Sequence, residues 1–520
     1  MKQLFITISY LKYKQIYYRI YYTLRKIIYK KLHRTYSLSL SSQTQQILLS
    51  ETIKSIDTFE DKQFIFLNKS HFFEKSIDWN YAIFGKLWTY NLNYFDYLHQ
   101  ETMTKEIGLH LMHDYIMQIE KSLDGMEAFP LSLRGMNWIK FLSYHKVNEP
   151  TIDDSLYAQY GVLMQNIEYH LLGNHLLENG FSLLFGAYYF KDERLYKKAV
   201  EILSKELDEQ ILEDGAHFEL SPMYHQIMFF RVLDCINLLQ HNSWQENTLL
   251  MVLEDKASLM LGWLSHMTYT QGEIALFNDS ANKIAPTSNE LFTYAHRLGI
   301  QSKDYPLGVS GYRKIKMHSY ECIVDVGNIG PDYIPGHAHS DTFNFELYVA
   351  GKPFIVDTGI STYESNEKRT RERSTKAHNT VMLNGTEQTE VWGGFRVAAR
   401  AKIVELVEKK EYISAIHDGY KKKFNTLHQR EFFFSENNIR IVDTLHTDML
   451  HTAVARVHFF PEITLELEGS SVFCNGIEIC FSVNEIQIVK YMYAPEFNKG
   501  IEAYMIEVSF NNTLEMEIKL

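Results

Sequence analysis

The sequence predicts a chain of two packed regions, a helical region followed by an antiparallel β-sandwich. From about Leu48 to about Leu298, apolar residues recur at spacings of three and four between polar turns, which is the period of amphipathic helices. Beyond Tyr312 the pattern changes to short alternating segments broken by Gly and Asn-Gly turns, which is typical of an antiparallel sandwich. With 520 residues, of which 45% are hydrophobic, the chain is long enough for more than one core.

The predicted helices carry no heptad repeat, so we expect hairpins stacked into a toroid or solenoid rather than a coiled coil. Pro306, Gly308 and Gly311 cluster at the change of pattern, which divides the chain into a helical domain over 46–305 and a sandwich over 306–520. The clearest helical segments are 157–172, 180–190, 195–212 and 223–239, and the clearest strands are 403–407, 439–444, 463–467, 478–483 and 503–510.

Residues 1–45 are interpreted as a separate basic, aromatic arm, since the first 34 residues contain many Lys and Arg and no Asp or Glu. Peripheral contact of a basic amphipathic helix with an anionic membrane is one interpretation, and a helix packed on the body with a solvated basic face is an equal alternative. The arm lacks the pattern of a secretory signal, and no stretch approaches the roughly 20 apolar residues of a membrane span. We therefore favour a cytoplasmic or membrane-peripheral location, with a periplasmic one as the alternative.

The overall charge argues against nucleic acid as the main partner. The net charge is -12 and the pI is near 6.0, whereas phosphate binding needs a basic surface. An anionic substrate would need a local basic cleft. Aromatic residues make up 14% of the chain, and their faces suit sugar rings and ordinary cores equally well.

The most informative stretch is PGHAHSDTFNFEL at 335–347, which places His337 and His339 just before an alternating strand pattern. If the strand extended back to them, the two imidazoles would share one side. Imidazole can ligate a cation or exchange a proton near neutral pH, although these two residues alone would suggest a solvated loop. Downstream, Asp357 lies in FIVDTG and His378 in STKAHNTV, and WGGFR follows.

Together, residues 335–396 closely resemble the C-terminal part of the heparinase II/III family of polysaccharide lyases. The resemblance implies an α/α toroid followed by a β-sandwich, with the active site between them. It also implies β-elimination on an acidic, uronic-acid-containing polysaccharide, with His337 as a catalytic base and no organic cofactor.

Two stretches of the helical region resemble the same family. In GNHLLENG, the Asn174-His175 pair matches a motif whose asparagine contacts the substrate carboxylate, where a hydrogen-bond donor stabilises the charge that develops on proton removal. In DGAHFELSPMYH, Ser221 and Pro222 predict a helix start that puts Tyr224 in the first turn, where the helix dipole favours the tyrosinate. In the family this tyrosine is the general acid and, for some substrates, also the base.

The resemblance also suggests residues that contact the substrate. Arg134 could pair with a carboxylate but is equally suited to be a structural cation, and Glu219 is better suited to orient its neighbours. The predicted substrate-binding residues are Arg134, Glu219, His225, Arg373 and Trp392.

Some family members hold a structural zinc, and the resemblance assigns the matching ligands here to His339, Asp357 and His378. Two imidazoles and a carboxylate are a common zinc set. The alternative is that Asp357 and His378 cap strand ends by hydrogen bonding, and a spacing this long does not distinguish the two.

Two other functions remain open. A uronyl C5-epimerase would begin with the same proton abstraction and return the proton from the opposite face. A non-catalytic glycan-binding protein on a lyase scaffold is the alternative from another class, and the joint presence of the Asn, Tyr and His motifs argues against it.

Overall fold

The computed structural model describes residues 2–31, 44, 46–246 and 248–520. It confirms the predicted fold class, with helices packed as the hairpins of an incomplete toroid and then an antiparallel β-sandwich. The helices of the first region are α3 Lys86–Tyr94, α4 Lys105–Gln118, α5 Ala128–Tyr144, α6 Pro150–Gln165, α7 Gly173–Phe190, α8 Glu193–Gln210, α9 Pro222–His241, α10 Thr248–Met267 and α11 Ser288–Arg297, preceded by α1 Lys2–Ser9 and α2 Tyr13–Lys31.

Local sequence chemistry explains where several of these helices begin. The Ser221 side chain accepts a hydrogen bond from the Tyr224 backbone amide, and Pro222 occupies the first turn of α9, as the Ser-Pro pair predicts. Asp192 caps α8 in the same way, and Thr287 forms a capping box at the start of α11. The Ser-Pro pair therefore places Tyr224 in the first turn of α9.

The α1–α2 pair, residues 2–31, packs against both regions of the protein. Within the described residues, no helix is long and apolar enough to cross a membrane. Positions 1, 32–43 and 45 of the predicted arm lie outside the described residues.

A three-stranded sheet precedes the helical region and is absent from the sequence prediction. Its strands have two to four residues, too few for a clear alternation, and Phe64 and Phe66 pack in the helical core beside Trp88. The strands are β1 Phe59–Glu60, β2 Gln63–Phe66 and β3 Lys69–Phe72, joined in that order.

The sandwich packs an eight-stranded sheet against two four-stranded sheets around one apolar core. The strands are β4 Tyr312–Lys316, β5 Tyr320–Asp325, β6 Phe345–Val349, β7 Lys352–Ile355, β8 Val381–Leu383, β9 Val391–Trp392, β10 Arg396–Val397, β11 Ile403–Lys409, β12 Tyr412–His417, β13 Leu427–Ser435, β14 Asn438–His446, β15 Ala453–His458, β16 Leu465–Glu468, β17 Ser471–Cys474, β18 Ile477–Phe481, β19 Ile486–Glu496, β20 Lys499–Phe510 and β21 Thr513–Lys519, with short helices α12 Glu367–Glu372 and α13 Lys421–Phe424. In the eight-stranded sheet the order is β11-β12-β13-β14-β21-β18-β17-β16, and in the smaller sheets it is β19-β20-β15-β8 and β4-β5-β6-β7.

The loop that carries His337 and His339 is not part of a strand. Phe343 has a φ of 72°, in the left-handed region, and therefore interrupts the extended backbone before β6 begins at Phe345. The strand therefore does not extend back to the two histidines, and the condition under which its periodicity would place them on one side is not met. A shared apolar cluster that includes Trp263 and Tyr312 packs the helical region against the sandwich close to this loop.

Candidate active site

Three of the four predicted catalytic residues meet where the helical region contacts the sandwich. The rings of Tyr224 and His337 stack with centroids 3.9 Å apart and planes 29° apart. Asn174 Nδ2 lies 3.5 Å from His337 Nε2. Each residue comes from a different element, Asn174 from the first turn of α7, Tyr224 from the first turn of α9 and His337 from the sandwich loop.

Glu219 fixes the position of Asn174. Its carboxylate accepts hydrogen bonds from the Asn174 backbone amide at 2.9 Å and from Nδ2 at 2.8 Å. Gly173 makes this approach feasible, because its φ is 58° and a Cβ there would lie 2.5 Å from Glu219 Oε1. Because Glu219 is buried and accepts both hydrogen bonds, it orients Asn174, as its sequence context suggested. The second amide hydrogen of Asn174 can go to His337 Nε2, 3.5 Å away, or to a bound acceptor.

Asp279 is the main residue of the site that the sequence did not reveal. Its fully buried carboxylate accepts hydrogen bonds from His337 Nδ1 at 2.8 Å and His339 Nε2 at 2.9 Å, and pairs with both terminal nitrogens of Arg369. Burial alone would raise the pKa of Asp279, but the Arg369 charge and the histidine hydrogen bonds hold it well below its usual value. An ionised Asp279 accepts from Nδ1 and so favours the tautomer of His337 whose Nε2 is the acceptor. That Nε2 lies 3.4 Å from Glu219 Oε2 and 3.5 Å from Asn174 Nδ2.

Tyr224 is placed to give a proton rather than to hold a negative charge. Burial raises its pKa well above the ordinary value, and the hydrogen bond that Tyr363 donates at 3.2 Å offsets this only in part. The helix-dipole argument from the sequence predicted easier ionisation, but the desolvation of Tyr224 is the larger effect. Tyr363 is a second residue that the sequence analysis missed.

The fourth predicted catalytic residue, His175, is half-buried beside Asn174. Its Nδ1 lies 3.0 Å from Glu168 Oε1, and its ring packs on Phe129. Burial would lower the pKa of His175, and the Glu168 carboxylate more than offsets this and raises it. The Glu168 carboxylate thus favours the protonated form of His175 at the edge of the site.

Three of the predicted substrate-binding residues are buried and already satisfied by protein groups, so the structure does not support that role for them. Arg134 donates to Gln159 at 2.8 Å and to the Gly125 carbonyl at 2.9 Å inside the helical core. His225 contacts the Met260 carbonyl, and burial lowers its pKa to about 3.

Arg373 is the third of these residues, and it donates to the Ala338 carbonyl at 2.8 Å, next to His337. Burial lowers the pKa of Arg373 to about 9. Trp392 is half-buried, and its indole N–H donates to Thr7 of α1. A polar residue inside a motif can therefore support a neighbouring loop as readily as it can contact a ligand.

The three predicted metal ligands lie near one another behind the site. His378 Nδ1 is 2.7 Å from Asp357 Oδ2, and the rings of His339 and His378 are 5.2 Å apart. His339 Nδ1 and His378 Nε2 are buried and have no hydrogen-bond partner within the described chain. No group of three or more His, Cys, Asp or Glu side chains in that part of the chain is arranged to hold a metal ion. The two free ring nitrogens nevertheless have the donor chemistry that zinc prefers.

Both regions of the chain match models of known protein families. The heparinase II/III N-terminus model matches residues 147–298, and the heparinase II/III-like C-terminal model matches residues 301–519. A heparin-sulfate lyase from Bacteroides stercoris is 24% identical over 308 residues, covering 53% of this chain and 44% of that protein. A heparin-sulfate lyase from Pedobacter heparinus is 26% identical over 245 residues, covering 41% of this chain and 36% of that protein. The chain spans less than half the length of these curated relatives.

Solved structures agree on the fold. A crystal structure of heparinase III aligns with a TM-score of 0.67 at 16% identity, covering 86% of this chain and 79% of that one. A heparan sulfate lyase from Pedobacter heparinus aligns with a TM-score of 0.55 at 15% identity, covering 88% and 81%. Because the two family models match most of the chain, in the order of its helical region and its sandwich, this protein belongs to the heparinase II/III family.

Proposed function

We propose that this protein is a polysaccharide lyase that cleaves a uronic-acid-containing glycan by β-elimination. The observation that carries the proposal is the stack of Tyr224 on His337 beside the oriented amide of Asn174. The site thus combines a phenol, an imidazole and a hydrogen-bond donor, which are the three groups that this elimination needs. The names of the curated relatives as heparin-sulfate lyases support the same class.

His337 is the proposed base. Its Nε2 removes the C5 proton of the uronate, and the ionised Asp279 stabilises the imidazolium that forms. Negative charge then develops on the uronate carboxylate. Asn174, held by Glu219, donates to that carboxylate and stabilises the enolate-like intermediate.

Tyr224 is the proposed acid. It gives its proton to the glycosidic oxygen as the C4–O bond breaks, and the Tyr363 hydroxyl donates to the resulting tyrosinate. Each proton transfer contributes roughly 10²- to 10⁴-fold to the rate. The protonated ground state of Tyr224 suits the acid role.

An acidic polysaccharide is the proposed substrate class, because Asn174 is oriented to donate to a carboxylate and the curated relatives are named heparin-sulfate lyases. The exposed Arg396 lies on the β9–β10 hairpin, whereas the pocket beside this hairpin balances Arg371 and Lys376 against Glu367 and Glu387.

The test is a screen of sulfated and unsulfated uronic-acid polysaccharides for a conjugated, ultraviolet-absorbing product. A lyase gives that product. Deuterium from solvent at C5 with an intact chain would indicate the epimerase, and binding with neither cleavage nor exchange would indicate a glycan-binding protein.

Asn174→Ala is expected to lower kcat by about 10²-fold with a smaller change in KM, since the amide matters most where charge develops. Steady-state kinetics on the substrate from the screen measure both constants. Asn438→Ala is the matched control, because it removes an amide that contacts Glu517 in the eight-stranded sheet. A loss confined to KM would contradict the assigned role of Asn174.

We further propose that His339, His378 and Asp357 hold a structural zinc, with the two partnerless ring nitrogens as ligands. The bound ion would fix the segment that presents His337, because His339 lies two residues away. The protein purified without a His tag is expected to contain about one equivalent of zinc. Chelation should then lower its melting temperature. A metal-free preparation with the same melting temperature before and after chelation would contradict the site.

A third proposal is that the protein lies at a membrane surface, with α2 as the contact. Exposed apolar residues of α2 recur every three or four positions, which makes a continuous stripe, and the helix contains Lys and Arg but no acidic residue. The charge favours anionic lipid. The stripe consists of Tyr13, Ile16, Tyr17, Ile20, Tyr21, Leu24, Ile27 and Ile28.

In flotation assays, the protein is expected to bind vesicles that contain phosphatidylglycerol and to bind phosphatidylcholine vesicles much less. Ile20→Ser with Leu24→Ser should abolish binding, whereas Leu450→Ser, at an exposed leucine of the sandwich, should not. Equal recovery of the α2 variant and the wild type with anionic vesicles would contradict membrane contact through α2.

A further inference from the structure

The β9–β10 hairpin forms a wall beside the candidate active site. Phe395, in its turn, has its ring centroid 6.0 Å from that of His337 and 5.2 Å from that of Tyr363. The Gly394 carbonyl accepts hydrogen bonds from Arg369 and Arg373, each at 3.1 Å. Because Arg369 also pairs with Asp279, the hairpin turn is connected to the carboxylate that orients His337.

Helix α1 contacts the outer side of this hairpin. Thr7 Oγ1 accepts a hydrogen bond from the Trp392 indole at 3.1 Å and lies 3.0 Å from the Val397 carbonyl. It is also 2.9 Å from the Gln3 carbonyl of its own helix. One hydroxyl therefore contacts both strands of the hairpin.

Helix α2 contacts the two chain segments that lead into the catalytic motifs. Gln15 is only 2% exposed, and its amide Nε2 donates to the Leu171 carbonyl at 3.0 Å and to the Tyr333 carbonyl at 3.3 Å. Leu171 lies three positions before Asn174, and Tyr333 lies four positions before His337. A single buried amide thus bridges the helical and sandwich sides of the site.

Further contacts hold α2 in the position that this bridge requires. Tyr22 donates to the Ile167 carbonyl at 2.6 Å, and Lys12 pairs with Glu209 while its ammonium lies 3.9 Å from the centre of the Tyr333 ring. The contacts with Ile167 and Tyr333 fall on the same two segments that Gln15 contacts, and Glu209 lies near the end of α8.

We propose that the α1–α2 pair is a positioning element of the active site. Gln15 sets the distance between the Asn174 and His337 segments, and Thr7 holds the hairpin that carries Phe395. This proposal rests on the proposed lyase function for its kinetic consequence. The family models match residues 147–298 and 301–519, so they do not include α1 and α2.

The test compares Gln15→Met, which keeps the side-chain length but removes the amide donor, with Gln3→Met at an exposed position of α1. Gln15→Met is expected to lower kcat by about 10- to 100-fold, because misplacement by about 1 Å has effects of that size, and to leave KM within about twofold. Gln3→Met should match the wild type. Thr7→Val should lower kcat in the same direction, and Thr7→Ser, which keeps the hydroxyl, should restore it.

Amide hydrogen exchange provides a readout that does not need activity. Gln15→Met should speed exchange in the peptides around 171–175 and 333–339 but leave the eight-stranded sheet unchanged, and this pattern would support the positioning role even if the wild type showed no elimination. Wild-type kcat and wild-type exchange in both Gln15→Met and Thr7→Val would overturn it. A uniform rise in exchange with equal loss of melting temperature and no rescue by Thr7→Ser would also overturn it.

Discussion

Tyr224→Phe is expected to reduce elimination by about 10²- to 10⁴-fold while the fold stays intact. The phenylalanine ring keeps the stack on His337 but has no proton for the leaving oxygen. Initial rates of product absorbance and the melting temperature measure the two effects separately.

Tyr420→Phe is the matched control for this change. Tyr420 is fully buried in the sandwich, whereas Tyr224 is partly buried, and Tyr420 donates to the Val381 carbonyl at 2.7 Å. Its change to Phe therefore costs a hydrogen bond without touching the site. Near-wild-type turnover in Tyr224→Phe would remove Tyr224 from the mechanism.

Asp279→Asn is expected to lower kcat by about 10³-fold or more, because Asp279 acts on the reaction through His337. The asparagine amide can donate to His337 Nδ1, which would move the imidazole proton to Nε2 and remove the base. The substitution also leaves Arg369 buried without its counter-ion, which costs about 3 to 5 kcal/mol of stability.

The chain offers a close control for Asp279. Asp443 is likewise buried, accepts a hydrogen bond from His428 at 2.7 Å and pairs with Arg430 at 2.7 Å, but it lies in the eight-stranded sheet. Asp443→Asn should destabilise the protein comparably and leave the kcat of the folded enzyme unchanged. Equal kcat losses in the two variants would show that Asp279 acts only through stability.

The same two carboxylates make the stability of the protein depend on pH in the acid range. The folded-state pKa of Asp279 is well below 3.8, its ordinary value, and that of Asp443 is lowered to about 2 by Arg430 and His428 despite burial. A lowered folded pKa contributes stability that is present above the unfolded pKa and lost as pH falls toward the folded pKa. The free energy of unfolding of the wild type should therefore fall below about pH 4, and Asp279→Asn should show a weaker dependence.

Local patterns predicted the fold class and the site residues of both regions, because a helix cap, a strand period and a short motif each depend only on residues that are neighbours in the sequence. Ser221 and Pro222 fixed the start of α9, and the structure has that start. The sequence analysis ended one helical segment at 172 and began the next at 180, whereas in the structure α6 ends at Gln165 and α7 begins at Gly173. Both predicted boundaries are too late, because apolar residues continue through the connecting turn.

Asp279 and Tyr363 could not be found in the same way. Asp279 lies in a loop after α10, and its partners His337, His339 and Arg369 follow 58 to 90 residues later. Arg134 and Arg373 show the opposite error, since the sequence predicted them as substrate-binding residues and the structure buries them. Their burial depends on tertiary packing that no local pattern encodes.

The most direct test of β-elimination by His337 and Tyr224 is to incubate the protein with its uronate polysaccharide in deuterium oxide. The products are then analysed by mass spectrometry and ultraviolet absorbance. β-Elimination predicts shortened chains with unsaturated, absorbing ends and no deuterium at the C5 positions of the intact residues. Shortened chains whose new non-reducing ends are saturated, or full-length chains with deuterium at C5, would contradict the assignment of His337 and Tyr224 as the base and acid of an elimination.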